Sequence, residues 1–395
     1  MNASKKPAPT FLRRHGVKLI ASAVITVCIV LGMKLGGLKF IPEGGNFSHV
    51  KWWAVPAYIL TLVGVNWYRG VRWRFLIRSI ADVPKKRLCA VSWIGFAAIL
   101  ILPFRIGELA RPYLLSVGGK RDANGRVVGT ISLPAATGSV VAERVVDGLY
   151  LSIVLAIALL TVPHLVPLPE KVVGLPVSVA QVRHAGFAAV GVFSAALAVI
   201  AVYYWARDFA HRATLAVFGI VSTKLAEKLA SMAESLADGF HFFSRGRDAL
   251  GFLWETTLYW FFNAFGTWIL AWGCGVVHGD GSPITFGESC AVMGMVCIAI
   301  LVPGPPGLLG TFQLGLYAGM TMYFAPDMVV GPGAAFVFLI YILQLGFTVL
   351  AALAVLWGDP DSWRALEEAE GILPKPDDDP PEPPDPPAAE KLATP

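Results

Sequence analysis

The sequence predicts an all-α polytopic membrane protein, with about six transmembrane helices plus two re-entrant hairpins in an inverted repeat. Three observations predict it. The 395-residue chain is 55% apolar and only 15% charged, with a mean hydropathy of +0.62, whereas soluble domains carry about 25% charged residues. Its apolar residues gather into runs of the length a bilayer requires, roughly 17 to 25 residues. Two of these runs are too long for one span, and proline and glycine break each in the middle.

Taken in order, residues 1–16 form a short N-terminal segment, residues 17–357 the membrane domain, and residues 358–395 a tail. Lys5, Lys6, Arg13, Arg14 and Lys18 precede a first apolar run at 19–33. No small-x-small cleavage site closes that run, so it reads as a first span near 17–37 rather than a signal peptide. Further spans are expected near 52–70, 134–162, 184–206, 249–273 and 334–357. The stretch 224–245 places Leu225, Leu229, Met232, Leu236 and Phe240 at helical spacing opposite Lys and Glu. That pattern is an amphipathic helix, docked on the bundle or lying on the membrane. The tail holds 11 acids and 3 bases among repeated prolines, a composition unable to bury a core and so disordered.

Charge sets the topology, because cytoplasmic loops collect Lys and Arg. Residues 1–18 carry five, 69–87 seven, 105–126 five and 207–247 six, while 163–182 carry only Lys171 and 274–333 none. Both flanks of 88–117 are therefore cytoplasmic, and both flanks of 286–324 lie outside. Each of these runs dips in and returns on its own side, and both termini fall in the cytoplasm. Irregular backbone at membrane depth is tolerated only where it is buried in protein or lines a wet cavity. Both hairpins are thus functional candidates.

The hairpins resemble each other. LILPFRIGEL (100–109) lies over ILVPGPPGLL (300–309) without a gap, pairing Pro103 with Pro303 and Gly107 with Gly307. Breakers at matched places in two halves of opposite sense mark an inverted repeat. Pro303, Gly304, Pro306, Gly307 and Gly310 make the second copy an uncharged hinge, whose free helix ends would offer backbone dipoles to a ligand or form a simple turn.

The first copy is charged. Arg105, Glu108 and Arg111 sit beside Pro103 and Gly107 at the end of an apolar run. A charge inside a bilayer costs about 2.5–3.5 kcal/mol or more and usually marks a substrate path. Arginine forks grip phosphate with two hydrogen bonds, so two arginines around a carboxylate suit a phosphodiester. The alternative is that these charges mark the hairpin's return to the cytoplasm. A second set, Glu143, Arg144 and Asp147, lies in an otherwise apolar span. Glu143 and Asp147 share one helix face, and Arg144 reaches Asp147 one turn on. Arg105 or Arg111 is the natural partner of this pair, either as a structural lock or as part of a substrate site. Arg69, Arg72, Arg74 and Arg78 follow the second span, where head-group contact and plain interface anchoring both fit. Asn66, Asn263 and Gln344 are the main amides within spans, suited to a polar path or to helix–helix bonding.

Cys28, Cys89, Cys274, Cys290 and Cys297 lie singly, and no Cys/His cluster suggests a metal. GxxxxGK[ST], HExxH and GxSxG are all missing from the sequence. No cofactor and no nucleic-acid partner are expected. Membrane lipids are the expected partner.

RWRFLI (72–77), LPFRIGELARPYLL (102–115), VAERVVDGLYL (141–151) and VPGPPGLLG (302–310) together carry a resemblance. The chain resembles the lysylphosphatidylglycerol synthase transmembrane, or flippase-like, family over roughly residues 15–357. The resemblance implies a multi-pass protein of the bacterial inner membrane that moves a lipid between leaflets, with no catalytic residues. The implied lipid is an anionic or aminoacylated phospholipid, a polyprenyl-linked lipid or a hopanoid. It maps Arg105, Glu108 and Arg111 onto the hairpin motif and Glu143, Arg144 and Asp147 onto the helix motif. The mechanism expected from these residues has the head group meet Arg105, Arg111 and Arg72 or Arg74, with Glu143 and Asp147 holding those arginines when the site is empty. In the bifunctional enzyme of that family a cytosolic aminoacyl-transferase domain follows the membrane part. Here only the acidic tail follows, so lysyl transfer is not carried over and a separate lipid-synthesising enzyme is the expected partner. A membrane-embedded enzyme or subunit of lipid or glycolipid biosynthesis is the alternative.

Overall fold

The computed structural model describes residues 27, 31, 41–102, 107–117, 120–121, 127–128, 131–173, 178–220, 222–238, 245–301 and 306–358. All but two residues of the expected first span, the hairpin residues Pro103, Arg105, Pro303 and Gly304, and the tail from 359 lie outside the described residues.

The described residues are mostly helical. Helix α1 (Ala54–Val71) runs through Arg72 into the short α2 (Trp73–Ile77), and the backbone at Arg72 is itself helical. Next come α3 (Lys85–Ile101) and α4 (Ala110–Ser116), separated by the turn that holds Gly107. Two two-residue strands, β1 (Lys120–Arg121) and β2 (Val127–Val128), pair antiparallel. Helix α5 (Leu133–Thr161) starts with a proline in its first turn, where the missing N–H has no partner to lose. Then follow α6 (Val179–Trp205), α7 (Arg207–Phe218), α8 (Thr223–Asp238) and α9 (Gly246–Gly273). The last part is α10 (Phe286–Ala299), α11 (Thr311–Thr321), α12 (Pro326–Val330) and α13 (Pro332–Gly358).

Among the described residues, three helical stretches are long and apolar enough to cross a membrane: Leu133–Thr161, Val179–Trp205 and Pro326–Gly358. The expected spans at 52–70 and 249–273 are helices α1 and α9, of 18 and 28 residues, which pack along each other. Helix α9 carries Arg247, Asp248 and Glu255 in its first half, which lowers its apolar character. Each of the two broken runs forms two helices, α3 and α4 in one and α10 and α11 in the other.

Helix α3 packs on α13, and α10 packs on α5. Helices α1 and α9 each also touch the first arm of one hairpin, α3 and α10 respectively. The α10–α11 arms approach closely through Gly315 and Gly319, where a Cβ would stand 2.6 Å from the Cα of Val296 and 2.7 Å from that of Val292. Small residues four apart let helix backbones meet, and in lipid such van der Waals contact replaces the hydrophobic drive. One packed cluster, including Tyr58, Leu155, Leu270, Leu316 and Phe336, joins α1, α5, α9, α11 and α13. Another, including Trp73, Leu88, Leu115, Val140 and Phe252, joins α2, α3, α4, α5 and α9.

The expected amphipathic helix is α8. Ala226 and Ala230 are fully buried and α8 packs on α5, α6 and α7, so it is docked on the bundle.

Candidate functional site

The site is built around four elements: the α1–α2 joint, the first hairpin, α5 and α9. At the joint, Arg72 is fully buried. Its guanidinium forks onto Asp147, with Nη1 donating to Oδ1 and Nη2 to Oδ2, both at 2.6 Å. Nη2 also donates to Glu143 Oε1 at 2.9 Å, and Nη1 to Thr256 Oγ1 at 3.1 Å. The Tyr259 ring lies beneath the guanidinium, 4.6 Å from its carbon.

From the first hairpin, Arg111 of α4 donates through Nη1 to the other oxygen of Glu143, Oε2, at 3.0 Å. Arg111 is fully buried as well, stacked 4.3 Å over the Trp73 ring. Trp73 in turn donates its indole N–H to Ser139 Oγ at 3.0 Å. Room for the Arg111 stem comes from Gly95 on α3, where a Cβ would fall 2.2 Å from Arg111 Cγ. Glu143 thus bridges two arginines from two elements. Buried charges are tolerated only when paired in this way, and one helical turn puts both carboxylates on the face that meets them.

A cavity of about 430 Å³ opens beside this cluster. Arg69, Glu108, Arg144 and Asp147 line it, together with the rings of Phe96 and Tyr259. Leu100 from the first hairpin and Gly307 with Leu308 from the second also face it. Much of the remaining wall is apolar, interrupted by Thr61, Ser152, Asn263, Thr267 and Gln344. The turn of the second hairpin meets the end of α3: a Cβ on Gly307 would come within 4.0 Å of the Leu100 carbonyl oxygen and 2.8 Å of the Tyr341 hydroxyl. Gly307 at φ +72°, Leu308 at +56° and Gly310 at +87° are all left-handed. Gly310 donates its N–H to Gln313 Oε1 at 2.7 Å, closing the start of α11. In the first hairpin, a Cβ on Gly107 would lie 2.2 Å from the Ala98 carbonyl, so the returning chain rests directly on α3.

The cluster therefore divides the sequence-derived candidates. Arg72, Arg111 and Glu143 are enclosed and do not line the cavity, while Asp147 links the ion-pair cluster to its wall. Arg72 and Arg111, expected to meet a head group and to be held by Glu143 and Asp147 when the site is empty, are paired with those two carboxylates here. Arg144 lines the cavity with Nη1 3.8 Å from Asp147 Oδ2. Glu108 lines the cavity too, and Arg105 lies outside the described residues. Arg74 is turned elsewhere, donating to Glu255 Oε1 at 2.6 Å beside a second cavity of about 630 Å³. Pro306 belongs to the short turn Pro306–Leu308 that carries Gly307.

Sequence reasoning passed over Glu255, Thr256 and Tyr259, and gave Arg69 no separate role from its neighbours. Glu255 carried a readable signal, an ionisable group inside an apolar run. Arg69 and Arg72 are three residues apart, and spacing alone does not say which one faces the carboxylates. Among the described residues no group of three His, Cys, Asp or Glu gathers as metal ligands. Neither histidine nor lysine lines the cavity.

One family model, described as the lysylphosphatidylglycerol synthase TM region, matches residues 18–352. That span takes in both hairpins, the ion-pair cluster and the cavity. No curated protein matches the chain significantly.

Proposed function

The chain belongs to the lysylphosphatidylglycerol synthase TM region family, membrane proteins of lipid metabolism or transport, and from that premise we propose that it moves a lipid between leaflets. The observation that carries the reading is the cavity itself. It is charged where Arg69, Glu108 and Arg144 stand, mainly apolar elsewhere, and faced by the turns of both hairpins. A lipid has the same division, a polar head and apolar chains. Pockets of roughly 300–1,000 Å³ accept small-molecule groups.

In this reading the two halves of the protein are an inverted repeat. Helices α1, α3, α4 and α5 correspond to α9, α10, α11 and α13. The packing supports this, since α3 rests on α13 just as α10 rests on α5, and α1 lies along α9. The hairpin turns would act as the two gates, while the Arg72–Asp147 pair would hold the α1–α2 joint, and the Arg111–Glu143 pair the arm α4, to α5 as a fixed frame. Alternating access about a central site is the usual consequence of such symmetry. In this reading the membrane is a bacterial inner membrane and both termini are cytoplasmic, an orientation that the Lys- and Arg-rich loops support. The protein is a transporter rather than an enzyme in this account, and a separate lipid-synthesising enzyme supplies its substrate.

The test is reconstitution of the full chain into vesicles carrying labelled lipids, with dithionite added outside. Translocation predicts loss of the inner-leaflet label, with the lipid mass unchanged in matched vesicles that receive no dithionite. Protection of the inner leaflet, or a covalently altered lipid, overturns the transport reading, the latter in favour of an enzyme.

A further inference from the structure

We propose that Arg69 and Arg144 form an anion site at the charged end of the cavity, which takes the phosphate of a lipid head group. The inference rests on the reading that the cavity carries a lipid, and it narrows the cargo to phosphate-bearing lipids.

The four described arginines of the site fall into two pairs. Arg72 and Arg111 are enclosed and matched to Glu143 and Asp147 at 2.6–3.0 Å. Arg69 and Arg144 line the cavity, and their charges repel each other. Both oxygens of Asp147 are already occupied at 2.6 Å by Arg72. Arg144 stands 3.8 Å from Asp147, too far for a hydrogen bond.

The donors point the same way. Arg69 Nε, Arg144 Nε and Arg144 Nη2 are buried and make no hydrogen bond among the described residues; the same holds for the Nε of Arg72 and of Arg111, but for neither's Nη atoms. A buried donor left unpaired is costly, more so on a charged group. Arg69 is positioned by an aromatic face: its guanidinium carbon lies 3.8 Å over the Phe96 ring, which Arg111 approaches at 5.0 Å. A cation held over a ring keeps its N–H edges available. Among the described residues of the cluster, four arginines meet three carboxylates, Glu108, Glu143 and Asp147. One positive charge remains over the cluster as a whole, at the edge of a mainly apolar cavity, where an anion is favoured. Two guanidinium forks match the two free oxygens of a phosphodiester. An uncharged polycyclic lipid would leave every one of these donors unmet.

The test is equilibrium binding to the full chain in nanodiscs, using fluorescent phosphatidylglycerol and an equally labelled diacylglycerol that lacks the phosphate. Arg69→Gln and Arg144→Gln are each expected to weaken phosphatidylglycerol binding about tenfold, the loss of one charged hydrogen-bond partner. Diacylglycerol binding should not change, and Arg69→Lys should restore most of the phosphatidylglycerol affinity, which a folding defect would not permit. Displacement of the labelled lipid by inorganic phosphate in wild type, but not in Arg69→Gln, would show that the phosphate group itself is recognised. Arginine-dependent binding of inorganic phosphate without phosphatidylglycerol binding would overturn the lipid assignment in favour of free phosphate. Equal phosphatidylglycerol binding in wild type and both Gln variants overturns the site, even where dithionite still reports translocation. Conversely, arginine-dependent binding in a protein that translocates nothing upholds the site and removes the transport reading.

Discussion

Arg72 and Asp147, 75 positions apart in the chain, form a two-pronged ion pair with both nitrogen–oxygen distances at 2.6 Å. The pair joins the α1–α2 joint to the middle of α5 in a place with no solvent access to the guanidinium. Glu143, one turn earlier, extends the junction to Arg111 and so to the first hairpin. Three segments distant in sequence are thereby fixed to one another through two carboxylates.

Removing one member of a buried ion pair leaves an uncompensated charge, typically at a cost of about 3–5 kcal/mol. Glu143→Gln is expected to destabilise the protein by about that amount, since it leaves Arg111 without a carboxylate and Arg72 with only Asp147. Arg72→Lys keeps the charge but cannot fork onto Asp147, and should cost less, about 1–3 kcal/mol for the buried acceptors left unmet. Thermal unfolding in detergent checks both. Variants that melt with wild type would show that the junction does not hold the fold.

Gly95→Ala offers a gentler probe of the same junction. The added Cβ meets Arg111 Cγ at 2.2 Å, and overpacking of this kind costs about 1–3 kcal/mol. Gly191, in α6, has open space around its missing Cβ. Gly191→Ala should therefore be neutral or stabilising by up to about 1 kcal/mol, the helix-propensity gain. A comparison of the two melting temperatures separates steric displacement of Arg111 from the general effect of replacing a helical glycine.

Much of this arrangement was legible in the sequence. Helical spacing alone puts Glu143 and Asp147 on one face, and the apolar surroundings demand a cationic partner for them. Arg111 was named as one such partner and stands 3.0 Å from Glu143. Breakers at Gly107 and Gly307 foretold turns inside apolar runs, and turns stand there. The dominant role of Arg72 was not legible, because a contact across 75 positions leaves no trace in local periodicity. Nor was the division between enclosed Arg72 and cavity-facing Arg69. That depends on how α1 packs against α9 and α3, which is a tertiary fact.

Gly307→Ala tests the second hairpin. Its φ of +72° is left-handed, which costs a residue with a Cβ roughly 1–2 kcal/mol, and the new methyl would stand 2.8 Å from the Tyr341 hydroxyl. Slower translocation and a lower melting temperature are expected. Adding Tyr341→Phe relieves the contact but not the backbone, so rescue should be partial. Full rescue would place the whole effect on Tyr341.

Topology is checked by single cysteines at positions 120 and 280, labelled by a membrane-impermeant maleimide. Lys120 lies in the small β1 strand after the first hairpin, and Asp280 in the loop before the second. The inverted arrangement predicts labelling from opposite sides. Labelling of both from one side would contradict it.

The central claim is that lipid passes through the cavity between the hairpin turns. Ser152 lines that cavity on α5, is buried, and takes no part in the ion-pair cluster. The most direct measurement is the dithionite-accessible fraction of labelled phospholipid in vesicles holding either wild type or Ser152→Trp. With unchanged melting temperature, the bulky side chain should restore protection of the inner leaflet that wild type abolishes. Equal translocation by the two proteins would mean that lipid does not travel through this cavity.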